Sequence, residues 1–178
     1  MKKLTAALMA LMMVFALVCA AAESTEPFTF RNGITFGMSM EEVLAAETEQ
    51  VHEIDTEHTH GPVTFAEAEY EHIRENDVPA DIKYLFVGDK LVAIRMEFET
   101  RDIAYETVKA DLAAQGGEFT ALDLALLGNG IFAVDDDGTP EQNTVMLQQG
   151  DIMIVLELDA DGEDIDVTIV DLTAEYIK

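Results

Sequence analysis

From Ile82 to Glu99 the chain spells out a β-hairpin, and this stretch limits the fold more than any other. Ile82-Lys83-Tyr84-Leu85-Phe86-Val87 runs into Gly88-Asp89, and Lys90 to Glu99 returns from it. A glycine-containing two-residue turn between two β-rich runs is a strong hairpin signal, because such turns need positive φ. In the returning strand Val92, Ile94, Met96 and Phe98 fall on one side, and Ala93, Arg95, Glu97 and Glu99 on the other. Side chains alternate faces along a strand, so this one is half-buried and belongs to an antiparallel sheet.

The same pattern returns near the end. Val145-Met146-Leu147, Gly150-Asp151 and Ile152 to Leu158 form a second hairpin, and Asp161-Gly162 turns into Ile165 to Leu172. Val63 to Ile73 suits either period, and its neighbours favour strand. Phe28, Phe30, Ile34 and Phe36 around Asn32-Gly33 read as a short strand or hairpin. Residues 50–62 are polar and close with Gly61-Pro62, which predicts a loop.

Two helices interrupt the strands. Ser39 and Glu42 have capping-box spacing, and Met40, Val43 and Leu44 make an apolar stripe that ends near Glu47 to Glu49. Asp102 is the expected N-cap of a helix to Gln115, with Ala104, Val108 and Leu112 four apart and Gly116-Gly117 as the stop. Between residues 118 and 143, Leu122 to Leu127 suggests a helical turn and Ile131 to Val134 a short strand. The expected architecture is α+β: two helix-plus-antiparallel-meander units (28–99 and 102–176), with the helices packed on one face of an antiparallel sheet.

Lys2-Lys3, the apolar run Leu4 to Val18 and Ala20-Ala21-Ala22 have the three-part pattern of a secretory signal. Residues 1–22 are therefore expected to be removed, leaving 23–178 as a single extracytoplasmic α+β domain, secreted or associated with the cell envelope. Cys19 offers lipid attachment as the competing route, although Val18 before it is β-branched rather than small. The predicted mature chain has no cysteine and no membrane span. The full chain's 36 acidic residues against 10 basic ones give a net charge of −26, which excludes nucleic-acid binding, since that needs a basic footprint. The 49% hydrophobic content is enough for a folded core.

The stretch Asn32-Gly33-Ile34-Thr35-Phe36-Gly37-Met38-Ser39-Met40-Glu41-Glu42-Val43 resembles the opening of uncharacterised exported bacterial proteins. It is more distantly similar to modules of the β-lactamase-inhibitor-protein-like group and to a small outer-membrane-assembly lipoprotein. In those, a Gly-x-Ser/Thr-x-x-x-Val segment starts a helix ahead of an antiparallel sheet. The chain departs from them in lacking a Gly-x-Pro after the helix and a lipobox. The resemblance implies a binding or envelope-associated role and brings no catalytic residue with it.

His52-Glu53-Ile54-Asp55-Thr56-Glu57-His58-Thr59-His60 is the candidate metal segment, with His52, His58, His60 and Glu57 as ligands for a divalent ion such as zinc. Its spacing matches no established zinc signature. A solvated acidic loop is the plain alternative. His72 reads as a surface or edge-strand residue. Asp135-Asp136-Asp137-Gly138 and Asp159-Ala160-Asp161-Gly162-Glu163-Asp164 resemble fragments of a calcium loop, but neither completes the ligand ladder, and a turn at Asp161-Gly162 explains the second.

Catalysis finds little support. After residue 22 there are two serines, Ser24 and Ser39, and the second is the expected helix cap. No phosphate loop or dinucleotide fingerprint is present, and there is no tryptophan for sugar stacking. The reading is a non-catalytic module that binds an unknown protein or cell-envelope component without a cofactor, with divalent-metal binding as the alternative.

Overall fold

The computed structural model describes residues 28–60, 63–75, 78–114, 117–122 and 143–174. Strands β1 (Glu53–His60), β2 (Val63–Glu75), β3 (Val78–Val87) and β4 (Lys90–Glu99) follow helix α1 (Met40–Ala46). Strands β5 (Thr120–Ala121), β6 (Val145–Gln149), β7 (Ile152–Leu158) and β8 (Asp164–Asp171) follow helix α2 (Tyr105–Ala114). All eight strands join one sheet in the order β1-β2-β3-β4-β8-β7-β6-β5, and every neighbouring pair is antiparallel. Among the described residues, one antiparallel sheet with two helices makes an α+β arrangement dominated by strand.

Local chemistry explains most of these elements. Before α1, where a short strand or hairpin is expected, Thr29 and Thr35 form one isolated antiparallel bridge around a 3-10 turn, Arg31–Gly33. The Ser39 hydroxyl accepts from the Glu42 N–H, and the Glu42 carboxylate accepts from the Ser39 N–H at 2.8 Å, completing the capping box. Gly88 and Asp89 both have positive φ (57° and 60°), as a type I′ turn requires, with Val87 and Lys90 as its flanking pair. The Asp89 carboxylate also accepts from the Met40 N–H at 3.2 Å, which ties that turn to the start of α1.

Two expectations need correction. Residues 50–62 are not a loop, because Glu53–His60 is an extended strand paired along β2 from Glu53↔Glu69 to His60↔Val63. The strand lies at the rim of the sheet, where it needs few apolar side chains, so its sequence carries no burial pattern. Asp102 is not the cap of α2. The N–H groups of Asp102 and Ile103 both donate to the Glu99 carbonyl, so the chain is still turning off β4, and the helix begins after Ala104. Val63 to Ile73 is strand, as its neighbours suggested. Leu122 to Leu127, apart from Leu122 itself, and Ile131 to Val134 lie outside the described residues, as do Asp135 to Pro140.

The core runs as rows across the sheet. Ile54, Ala68, Tyr84, Ile94, Ile169, Ile154 and Leu147 lie directly opposite one another from β1 through β2, β3, β4, β8 and β7 to β6. From Ala68 onward every member of the row is buried. Val43 of α1 and Val108 and Leu112 of α2 are buried in the same apolar cluster as these residues. A second cluster of Phe65, Leu85, Ala93, Met146, Met153, Val155 and Val170 is buried on the opposite side of the sheet. Direct cross-strand neighbours are the units that stabilise a sheet, so these rows fix its register.

Candidate functional site

The second side of the sheet is apolar at one end and charged at the other. Glu69, Lys83, Arg95 and Thr168 are directly opposed across β2, β3, β4 and β8. Two residues along, Asp81, Glu97, Asp166 and Glu157 are directly opposed across β3, β4, β8 and β7. Opposed like charges destabilise a sheet, by about 0.2–1 kcal/mol per pair. The second row contains three such pairs, on strands interior to the sheet.

Cations from the first row offset part of this repulsion. The Arg95 guanidinium donates from Nε to Asp166 Oδ1 at 2.9 Å and from Nη2 to Asp166 Oδ2, a bidentate pair. Asp166 is only 4% exposed, whereas Arg95 reaches solvent. Burial works against the Arg95 charge. The hydrogen bond and charge of Asp166, with Glu157 and Glu97 beyond, win and raise its pKa above the usual guanidinium value. Lys83 lies 3.2 Å from Glu69 and 3.9 Å from Glu67, and these acids raise its pKa despite burial.

The acids left over are pushed the other way. Burial raises the pKa of Glu97, and the Asp166 charge adds to it, against Arg95 and Lys83. Burial likewise raises Asp159, with Asp166, Asp164 and Asp161 adding to it. Carboxylate oxygens of Glu157, Asp159 and Asp166 lie within 4.8 Å of one another. Such a group favours positive charge, and Arg95 already supplies one to Asp166.

An open groove of about 570 Å³ continues from this row to the sheet end, lined by His72, Arg74, Asp81, Glu97, Arg101 and Asp164 among others. His72 sits at a break in the β2–β3 register with φ +54°, unusual for a residue with a Cβ. Its N–H donates to Asp81 Oδ1 at 2.6 Å, and its exposed ring lies 3.5 Å from the same oxygen. It is a surface residue, on the part of β2 beyond the last β1 pairing.

A separate polar centre is buried on the helix side. Glu47, at the end of α1, accepts from Asn32 Nδ2 at 2.9 Å and from the Tyr84 hydroxyl, and lies 3.2 Å from Arg31 Nε. Burial and then the Glu47 charge raise the pKa of Tyr84 and of Tyr70. This centre ties the segment before α1 to the sheet.

The sequence-derived metal ligands are spread along β1. His52 precedes the strand, and its Nε2 is 3.3 Å from Glu71 Oε1. With one residue absorbed at the register shift between Asp55 and His58, about five strand positions at about 3.3 Å each hold it roughly 17 Å from His58. Glu57 is exposed, and its N–H donates to Asp55 Oδ1. His58 and His60 pair with Phe65 and Val63 through their backbones, and their side chains lie outside the described residues. The segment thus extends His52 away from His58 and His60 rather than looping it in. At the other candidate, the Gly162 N–H donates to the Asp159 carbonyl, the Glu163 N–H to Asp161 Oδ1, and Gly162 has φ +75°. That is the turn expected of Asp161-Gly162.

Arg95, Glu97 and Asp166 were missed as a group. Alternation puts Arg95 and Glu97 on the polar face of β4, but their neighbour Asp166 is set by the β4–β8 register. Among the described residues no helix is long and apolar enough to cross a membrane. No protein-family model, curated protein or solved structure matches the chain.

Proposed function

We propose that the chain is an exported, non-catalytic interaction module that meets its partner, a protein with a basic surface, on the charged side of its sheet. One observation carries this reading: Asp81, Glu97, Asp166 and Glu157 form a line of opposed acids across four interior strands, beside an open groove. Folding alone gains nothing from such a line, since each like pair opposes the sheet. A partner presenting lysine or arginine relieves the repulsion on binding, and the net charge of −26 steers such a partner in. The secretory pattern of residues 1–22 supports an extracytoplasmic setting, and the helix start at Gly37-Met38-Ser39 supports kinship with exported binding modules. The strand order, symmetric about the β4–β8 pair, supports reading 28–99 and 102–176 as one repeated unit.

A photo-cross-linking residue at position 97, compared with one at exposed position 106 on α2, tests the reading in a cell-envelope fraction. The expected result is an adduct with a basic protein from position 97 alone. High salt should remove it, and excess unlabelled protein should compete with it, whereas the Glu157→Lys variant should compete poorly. Equal labelling from both positions, or turnover of an envelope substrate by the purified protein, refutes the proposal.

A further inference from the structure

We propose that the outer edge of β1 docks an extended segment of another protein whose residues alternate between basic and apolar. Among the described residues β1 ends the sheet and has a paired strand on one side only. An edge strand turns alternate backbone N–H and C=O groups outward, ready for another strand.

Two features of β1 specify what that strand must look like. The apolar row that is buried from Ala68 to Leu147 ends on β1 at Ile54, which is 42% exposed. Ile54 is the one large hydrophobic residue left exposed among the described residues. The row stops one strand short of closure, and an apolar side chain placed opposite Ile54 would complete it.

On the other face, Glu53 lies opposite Glu69 and Asp55 opposite Glu67. Glu53, Ile54 and Asp55 thus present acid, apolar and acid to alternate faces, and a docking strand matches them with basic, apolar and basic residues. A second copy of this chain is a poor occupant. Pairing two β1 edges brings acids toward acids, on molecules that each carry a net charge of −26. The regular edge is short, because the register shifts between Asp55 and His58 and Asp55 itself accepts the Glu57 N–H. Docking is therefore anchored at Glu53–Asp55.

This contact is separate from the charged sheet face, and amide exchange in residues 53–57 reads it alone. The probe is an eight-residue capped peptide alternating lysine and valine, matched in length to β1 and added to the isotope-labelled full-length chain. Controls are a peptide alternating glutamate and valine and one with the lysines grouped at one end. At saturation the alternating lysine peptide should slow exchange in residues 53–57 by about tenfold or more, and neither control should. In the double variant Glu53→Lys, Asp55→Lys the preference should pass to the glutamate peptide. No slowing in β1, equal slowing by the grouped peptide, or an unchanged preference in the double variant overturns the proposal.

Discussion

Replacing Glu47 with alanine should destabilise the protein by about 4 kcal/mol, as breaking a buried ion pair by removing one partner costs about 3–5 kcal/mol. The Glu47 side chain is 1% exposed and that of Arg31 8%, so water does not replace what is lost. The change removes the counter-charge 3.2 Å from Arg31 Nε and the acceptor for both Asn32 Nδ2 and the Tyr84 hydroxyl. Glu47→Gln keeps one acceptor oxygen and should cost about half as much, since the hydrogen bonds survive better than the charge pairing. Urea unfolding measures both, and for a domain of this size the alanine loss corresponds to a melting-point drop of about 8–16 °C. Arg31→Met in the Glu47→Gln background should cost less than the two single changes added, because the uncompensated charge is gone. An alanine variant within about 1 kcal/mol of the parent, at unchanged urea slope, refutes the account of Glu47 as the tie between α1 and the sheet.

Two pH-linked outcomes follow from the same groups. Tyr84 has a raised pKa in the folded state, so its stabilising share is complete below about pH 10, the unfolded value. Above that, stability should fall by about 1.4 kcal/mol per pH unit, and ultraviolet titration should find that Tyr84 ionises only as the protein unfolds. A tyrosine count that titrates fully near pH 10 without unfolding contradicts this. Glu97 also has a raised pKa, so its contribution favours folding below its unfolded pKa of about 4.3 and turns unfavourable as pH rises through the folded value. Glu97→Gln should therefore stabilise the protein at pH 7 by about 0.5–1 kcal/mol, with the gain vanishing below about pH 4. Destabilisation at pH 7 would show that Glu97 is held by attraction to Lys83 and Arg95 and not strained by Asp166.

The parts of the fold that local chemistry dictates were legible in the chain. The Ser39–Glu42 cap, the Gly88-Asp89 turn and the alternation in β4, β7 and β8 each need only neighbouring residues to be recognised. β1 was not legible, because the rim of a sheet buries one face at most, and Glu53 to His60 supplies no apolar period. The start of α2 was misplaced for a different reason. Asp102 has the chemistry of a cap, but the Glu99 carbonyl claims its N–H for the turn off β4. The charged face could be read only strand by strand. Arg95 and Asp166 are separated by 71 positions, and nothing local reveals that they are neighbours. The histidines of residues 52–60 drew attention by their density in the sequence, whereas an extended backbone separates His52 from the others.

Of the described strands, β8 is the last in chain order, yet it lies between β4 and β7 near the middle of the sheet. A chain emerging from a ribosome can zip β1 to β4 as local hairpins. It cannot join them to β7 until Asp164–Asp171 has appeared. Until then β4 and β7 each offer a bare edge, so the half-made protein stays loosely held and open to unwanted pairing. The closing step links residues far apart in the chain, the kind of contact that makes folding slow. Delivery of the middle strand last delays completion of the sheet until Asp164–Asp171 has been made, so the two halves are joined by the final pairing rather than the first.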